Sequence, residues 1–360
     1  EIALVGVREH WLLGAHELEV ITPPLLLGAG GFGQVVWGRL RGTPVAIKVP
    51  HSTGSKEQLR LVSSICNELR LFRRVRHPNI VAFHGATIDP ESGNVAMVFD
   101  VINGGTMTEY VQNVHARDTS PKKDVFLGKV LLDVSSALKY LHTMDPAIVH
   151  GDLKSGNILV ALQAKTMPKA SLLDFGLSRL LVGKPLPLGG TREWMAPEVQ
   201  QMYSAPSESS DVYSFGLLAH FTTTGVHPHT SVDPGDIFGR FERLRWPEGS
   251  PFREECQRLT KDCMLLRPSA RPGIVDIHTA LLDWLLELDD AVLTFGNWVL
   301  CQYATAWDWD DGLRAVHDAS KIELPPGMGQ PKISVTTKAS KNESSSMQLS
   351  PPTDDHRLHL

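Results

Sequence analysis

Cysteine is scarce in this chain. There are four in 360 residues, Cys66, Cys256, Cys263 and Cys301. They form neither a CxxC pair nor a dense framework, so a reducing compartment, the cytoplasm, fits best. Long apolar runs are also missing: none reaches the roughly 18 residues that a membrane helix needs, so no membrane span is expected in this chain. An excess of basic charge is absent too. Lys and Arg number 35 against 40 Asp and Glu, for a net charge of -5, which gives no footprint for nucleic acid or an anionic membrane. No signal-peptide pattern is present and the first residue is Glu1, which suggests a piece of a longer protein, such as the cytosolic part of a larger one. No internal repeat is found, and the sequence does not specify an oligomeric state. What the chain does have is 42% hydrophobic residues, ample for the core of one large domain or two smaller ones.

The pattern along the chain changes character near Asn103-Gly104-Gly105. Residues 1–24 are a lead-in that ends in Pro23-Pro24. From Leu25 to about Val49 the chain is rich in Gly and Val and reads as strands with a tight turn. Residues 56–75 carry Leu59, Val62, Ile65, Leu69 and Phe72 at helical spacing, and Ile80–Phe83 and Val95–Val101 read as strands. Beyond residue 105 helical periodicity dominates, at Val125–Leu141, Asp211–Thr222, Glu254–Leu265 and Gly273–Leu288. A strand-rich first quarter before a helix-rich remainder predicts an α+β protein of two lobes, 25–103 and 104–288. Residues 289–324 form an aromatic-rich extension with Trp298, Trp307 and Trp309 that can dock on the large lobe or begin another interface. The Ser-, Lys-, Pro- and Asp-rich stretch 325–360 lacks periodicity and reads as disordered.

Within the strand-rich part, Leu27-Gly28-Ala29-Gly30-Gly31-Phe32-Gly33-Gln34-Val35 contains G-x-G-x-x-G. Glycines let backbone N–H groups approach phosphate oxygens that a Cβ would block. A dinucleotide fold needs a helix next, whereas Val35–Leu40 reads as a strand; an ordinary Gly-rich hairpin is the plain alternative. Val45-Ala46-Ile47-Lys48 then alternates as a strand and ends in a lysine placed to reach phosphates. Glu68, on the following helix beside apolar Leu69 and Phe72, is the best counter-ion for Lys48, against the plainer reading of a solvated helical glutamate.

Further along stand His150-Gly151-Asp152-Leu153-Lys154-Ser155-Gly156-Asn157, Asp174-Phe175-Gly176, Gly190-Thr191, Met195-Ala196-Pro197-Glu198, Asp211-Val212-Tyr213-Ser214-Phe215-Gly216 and Arg271-Pro272. In this order, and with the glycine loop and Lys48 before them, they resemble the signatures of the protein kinase superfamily from about Leu25 to Leu286. The resemblance implies a bilobal fold, with a small antiparallel sheet lobe carrying one helix and a large, mainly helical lobe. It implies ATP and Mg²⁺ (or Mn²⁺) as cofactors, and proteins as substrates. Asp152 would accept the hydroxyl proton, Lys154 would stabilise the transferring group, and Asn157 and Asp174 would hold the metal. The plain reading of Asp152 and Asn157 is turn chemistry. Val35, Ala46 and Leu159 would sandwich the adenine, Phe99 would gate the back pocket, and backbone groups of Asp100 and Ile102 would bind the adenine edge. His150 would be a core histidine stacked with Phe175, Phe72 and Phe83, and Glu198 and Arg271 a structural ion pair.

Lys154, and Thr191 bridging Asp152 and Lys154, match serine/threonine rather than tyrosine kinases. The phrases Trp37–Thr43 and Thr191–Met195 resemble the tyrosine-kinase-like group, the Raf and mixed-lineage relatives. There are two departures. Gly151 stands where an arginine is usual, and Gln163–Ala170 is longer than the usual hairpin, so a surface loop is expected there. The stretch Arg179–Gly190 holds no Ser, Thr or Tyr, so activation by phosphorylation of that loop is not expected. A pseudokinase scaffold, binding ATP or partner proteins without transfer, is the competing function. It predicts loss of Lys48, Asp152, Asn157 or Asp174, and all four are present.

Overall fold

The computed structural model describes residues 6–30, 33–50, 69, 71–89, 95–118, 123–161, 167–174, 179–180, 191–201, 204–228, 242, 244–246 and 251–287. All of them belong to a compact unit, Glu1–Asp308; the second unit, Trp309–Leu360, lies outside the described residues, as do the expected aromatic extension and tail.

The first part of the chain builds one antiparallel sheet. Its strands are β1 (Leu18–Val20), β2 (Leu26–Gly30), β3 (Gly33–Leu40), β4 (Thr43–Pro50), β5 (Phe83–Ile88) and β6 (Val95–Asp100). The order is β1-β3-β4-β6-β5, with β2 also on β3. Period-two alternation sets the faces: Val36, Val45, Ile47 and Val98 close one small core, while Ala46 and Lys48 face the other way. Arg41 and Gly42, at φ 49° and 84°, make the two-residue turn between β3 and β4, the left-handed pair that such a hairpin requires.

The structure departs from the sequence reading at two places here. The strand expected at Ile80–Phe83 begins only at Phe83; Ile80 makes an isolated bridge to Leu172 and the Val81 N–H donates to Leu172 O at 2.9 Å. Those backbone groups serve the large lobe instead of the sheet. The lead-in is also structured, with β1 inside it and Trp11 buried. Of the helix expected over 56–75, residues 56–68 and 70 lie outside the described residues; Leu69, Leu71 and Phe72 are helical, and Arg73 and Arg74 turn out of the helix before the expected end.

Beyond the sheet come β7 (Gly104–Thr106), α1 (Met107–Arg117), α2 (Lys123–His142), β8 (Ile148–Val149), β9 (Ile158–Ala161), β10 (Lys169–Leu172), β11 (Arg179–Leu180), α3 (Pro197–Gln200), α4 (Glu208–Thr224), α5 (Pro251–Cys263) and α6 (Ile274–Glu287). Helix α1 did not emerge from periodicity. It is started by a capping box, in which Thr106 Oγ1 accepts from the Glu109 N–H while the Glu109 carboxylate accepts from the Thr106 N–H. Helix α4 runs from a Ser207 cap to a left-handed Gly225 (φ 71°) and is buried nearly all round, which makes it the axis of the large lobe. No helix among the described residues is long and apolar enough to cross a membrane.

His77-Pro78-Asn79 joins the two lobes. The His77 ring stacks on Tyr140 of α2 at 5.0 Å, Asn79 Nδ2 donates to Ala170 O at 2.9 Å, and the Leu172 N–H donates to Asn79 O at 2.8 Å. On the large-lobe side Asp133 accepts from Lys129 (2.6 Å) and from the Ala170 N–H (2.9 Å), and Ser135 Oγ meets His278 Nδ1 at 3.0 Å.

Candidate active site

The segment between β8 and β9 is held from below by one carboxylate. Asp211, near the start of α4 and 1% exposed, accepts the His150 N–H on Oδ2 (2.8 Å) and the Gly151 N–H on Oδ1 (2.9 Å), with His142 Nε2 also 2.9 Å from Oδ2. Gly151 takes φ 78°, a left-handed conformation that glycine adopts without the Cβ clash. The His150 ring is buried; its Nδ1 accepts the Asp152 N–H at 3.3 Å, which places the ring proton on Nε2, 3.4 Å from Leu173 O. Ser155 Oγ, 2.7 Å from Thr108 Oγ1, ties the same segment to α1.

On this base four of the expected groups converge. Lys154 Nζ donates to Asp152 Oδ2 (2.7 Å) and to Thr191 Oγ1 (2.6 Å). The Thr191 N–H donates to Asp152 Oδ1 (2.9 Å), and Asn157 Nδ2 donates to Asp152 O (2.9 Å) and Oδ2 (3.1 Å). The hydroxyl of Thr191 was expected to bridge Asp152 and Lys154; among the described residues it meets Lys154, and the backbone N–H makes the link to Asp152. Asp152, Thr191, Trp194, Met195, Val199 and Pro206 line a crevice beside this cluster. Glu198 and Arg271 form a two-pronged ion pair at 2.6 and 2.8 Å, and Arg271 also donates to Leu265 O and Ser209 O.

The small lobe contributes from across the cleft. Lys48 Nζ donates to Asp174 Oδ1 at 3.0 Å, and Asp174 sits at φ 64°. The Leu173 N–H donates to Asn157 O at 3.0 Å, so Asp174 follows directly on a residue tied to Asn157. Glu68 lies outside the described residues, as do Gly31, Phe32 and Phe175. Leu27, Gly28, Ala29 and Gly30 form the first arm of the β2–β3 hairpin, with Gly33 opening the second. Val35 stands opposite Lys48, and Ala46 opposite Phe99. Phe99 packs edge-on to Phe72 (4.9 Å) and tilted to Phe83 (5.6 Å), while Phe72 stacks on Phe83. The Asp100 N–H donates to Ala82 O, and its carboxylate lies 2.6 Å from His84 Nε2. Ile102 follows in the link to β7, and Leu159 pairs with Thr106, half-buried.

Sequence reasoning missed Asp211 and His142 as the support of this segment. Asp211 was legible only as part of Asp-Val-Tyr-Ser-Phe-Gly, and His142 carried no signal beyond closing a helix.

A two-lobed fold, an antiparallel hairpin sheet over a helical lobe, and an Asp-Lys-Asn-Thr cluster between them define a class. The protein kinase domain family matches residues 24–282, and the chain belongs to that family. Within it the chain falls in the tyrosine-kinase-like group of serine/threonine kinases. It is similar to "Mitogen-activated protein kinase kinase kinase 10" of Homo sapiens, 33% identical over 270 residues, 73% of this chain and 27% of that protein. It is also similar to "Mitogen-activated protein kinase kinase kinase" of Drosophila melanogaster, 31% identical over 275 residues, 73% of this chain and 22% of that protein. "Serine/threonine-protein kinase CTR1" of Arabidopsis thaliana is 32% identical over 263 residues, 71% of this chain and 30% of that protein. The chain thus spans under a third of the length of these curated relatives.

Proposed function

We propose that this chain transfers the γ-phosphoryl group of ATP to serine and threonine hydroxyls of proteins, with Asp152, Lys154, Asn157, Asp174, Lys48 and Thr191 as the working groups. The observation that carries the reading is Lys154 Nζ held between Asp152 and Thr191 at 2.7 and 2.6 Å. Asp152 orients an acceptor hydroxyl and takes its proton. Lys154, already neutralised in part by Asp152, offers its remaining N–H to the oxygens of the group in flight. Thr191 fixes both partners and borders the crevice where an acceptor side chain would enter.

The residues fit a hard divalent cation. Asn157 spends its amide N–H groups on Asp152, which turns its oxygen away from that residue, and Asp174 adds a carboxylate. Asn157 and Asp174 would hold Mg²⁺, which would supply charge neutralisation at the phosphates. Lys48 meets the α- and β-phosphates and Glu68 is its counter-ion; its bond to Asp174 keeps it in the cleft. Leu27, Gly28, Ala29, Gly30, Gly31, Phe32 and Gly33 cover the phosphates, Val35, Ala46 and Leu159 enclose the adenine, Phe99 closes the space behind it, and backbone groups of Asp100 and Ile102 meet its edge.

Activation-loop phosphorylation does not switch this kinase on. Gly151 replaces a docking arginine, and its φ of 78° and its bond to Asp211 give that position a backbone role instead of a charge. The test of the catalytic reading is Asp152→Asn. Radiolabel transfer from ATP to a generic protein substrate should fall by about 10²–10⁴-fold with ATP affinity little changed, as for removal of a general base. An unchanged rate would overturn the assignment.

A further inference from the structure

The short turn Ser155–Asn157 sits between two of the working groups, with Lys154 just before it and Asn157 at its end. The turn has little hold of its own. The Asn157 N–H donates to Lys154 O at 3.0 Å, and Lys154, in extended backbone, gives the turn no side-chain cap. Gly156 at its middle is exposed, and a Cβ built there would meet nothing within 4 Å. Ser155 is different. It is 2% exposed, and its Oγ lies 2.7 Å from Thr108 Oγ1 on α1.

Helix α1 is a firm base for that contact. Met107, Tyr110 and Val111 bury one side of it in the core, and the Thr106–Glu109 capping box fixes its first turn. The strand before it, β7, is laddered to β9, with Gly105 opposite Val160 and Thr106 opposite Leu159, and a Cβ on Gly104 would run into Val160 O. The ladder holds the chain from Leu159 onward. The hydroxyl pair holds it four residues earlier, at the end of the turn next to Lys154. Filling that space does not require hydroxyls, because Val and Ala have nearly the shape of Thr and Ser, and two hydroxyls buried against each other add little net stability. What the pair adds is a set distance and direction between Ser155 and α1.

We propose that Thr108 and Ser155 are positioning residues for transfer: their hydroxyl pair braces the turn against α1 and so holds Lys154 and Asn157 in the poses that meet Asp152. This rests on the reading of Asp152, Lys154 and Asn157 given above. Lys154 Nζ is 2.7 Å and Asn157 Nδ2 is 3.1 Å from the same Asp152 oxygen, so a small shift of the turn lengthens both bonds. Groups set in place before the reaction lose much of their effect when displaced by about 1 Å.

The experiment uses the whole chain. Steady-state kcat, KM for ATP and thermal midpoint are measured for the parent, Thr108→Val, Ser155→Ala, the double variant and Thr108→Ser. Each of Thr108→Val and Ser155→Ala should lower kcat and, by leaving one hydroxyl without its partner, the midpoint as well. The double variant orphans no hydroxyl. Its midpoint should stay close to the parent while kcat falls about tenfold and KM for ATP stays within about twofold. Thr108→Ser keeps the hydroxyl and should keep kcat within about twofold of the parent. If the double variant keeps the parent kcat, or loses kcat only together with the midpoint, the brace is overturned. It is overturned as well if Thr108→Ser loses as much rate as Thr108→Val. Asp152→Asn is run alongside. If it keeps the parent rate, it is the catalytic reading that fails, and the brace falls with it.

Discussion

The two sides of the cleft are built by different means. On the large-lobe side, Asp152, Lys154, Asn157 and Thr191 are bonded to one another, and the segment that carries most of them hangs from a single buried carboxylate about sixty residues away, Asp211. On the small-lobe side, Lys48 reaches across 126 residues to Asp174, and Phe72, Phe83 and Phe99 meet as packed rings. The first arrangement fixes donors and acceptors before any substrate arrives, which is where electrostatic catalysis draws its effect. Among the described residues the second is held by packing and by the Lys48–Asp174 ion pair, so the pose of the lysine depends on how the lobes sit together.

The comparison is broken most severely at its support. Asp211→Ala leaves two backbone N–H groups and His142 Nε2 buried without their acceptor. Loss of one partner in such a buried set costs about 3–5 kcal/mol, so the urea midpoint should drop sharply and transfer should fall with it. A variant that keeps the parent midpoint would show that the carboxylate is not the base of the site.

A smaller effect sharpens the account of the joint between the lobes. His77 and His278 are both pushed down from 6.5 to about 4, chiefly by burial. Both rings are therefore neutral in the fold at pH 7. The unfolded chain takes up protons below pH 6.5 while the fold resists until about pH 4. The contribution is thus fully present above pH 6.5 and is lost as pH falls towards 4, by up to about 3 kcal/mol per ring. Urea midpoints at pH 7 and pH 5 should differ more for the parent than for His77→Asn/His278→Asn. Equal differences would show that other groups carry the acid sensitivity.

The smallest expected change is none. Treatment with a broad phosphatase should leave the activity of the purified chain essentially unaltered. Loss of most activity, restored by autophosphorylation at Ser178 or Thr191, would contradict the role given to Gly151.

The same contrast explains what the sequence made legible. The helices of the large lobe could be placed from periodicity because each buries a long apolar face; Val125–Leu141 fell within Lys123–His142 and Gly273–Leu288 overlapped Ile274–Glu287. Asp152, Lys154 and Asn157 share one short phrase, so their meeting is local. Helix α1 was hidden because it starts at a cap and carries a narrow apolar stripe of Met107, Tyr110 and Val111. Ile80–Val81 read as a strand because apolar residues in extended backbone look alike, whether they join their own sheet or, as here, pair with Leu172 of the other lobe. Asp211 acts at long range, and nothing in its immediate neighbours announces a partner.

The most direct test of the central reading is phosphoamino-acid analysis of generic protein substrates labelled from radioactive ATP and Mg²⁺ by the parent chain and by Asp152→Asn. The account predicts phosphoserine and phosphothreonine with little phosphotyrosine from the parent, and almost no label from the variant. A hydrolysate dominated by phosphotyrosine, or equal labelling by both proteins, would contradict it.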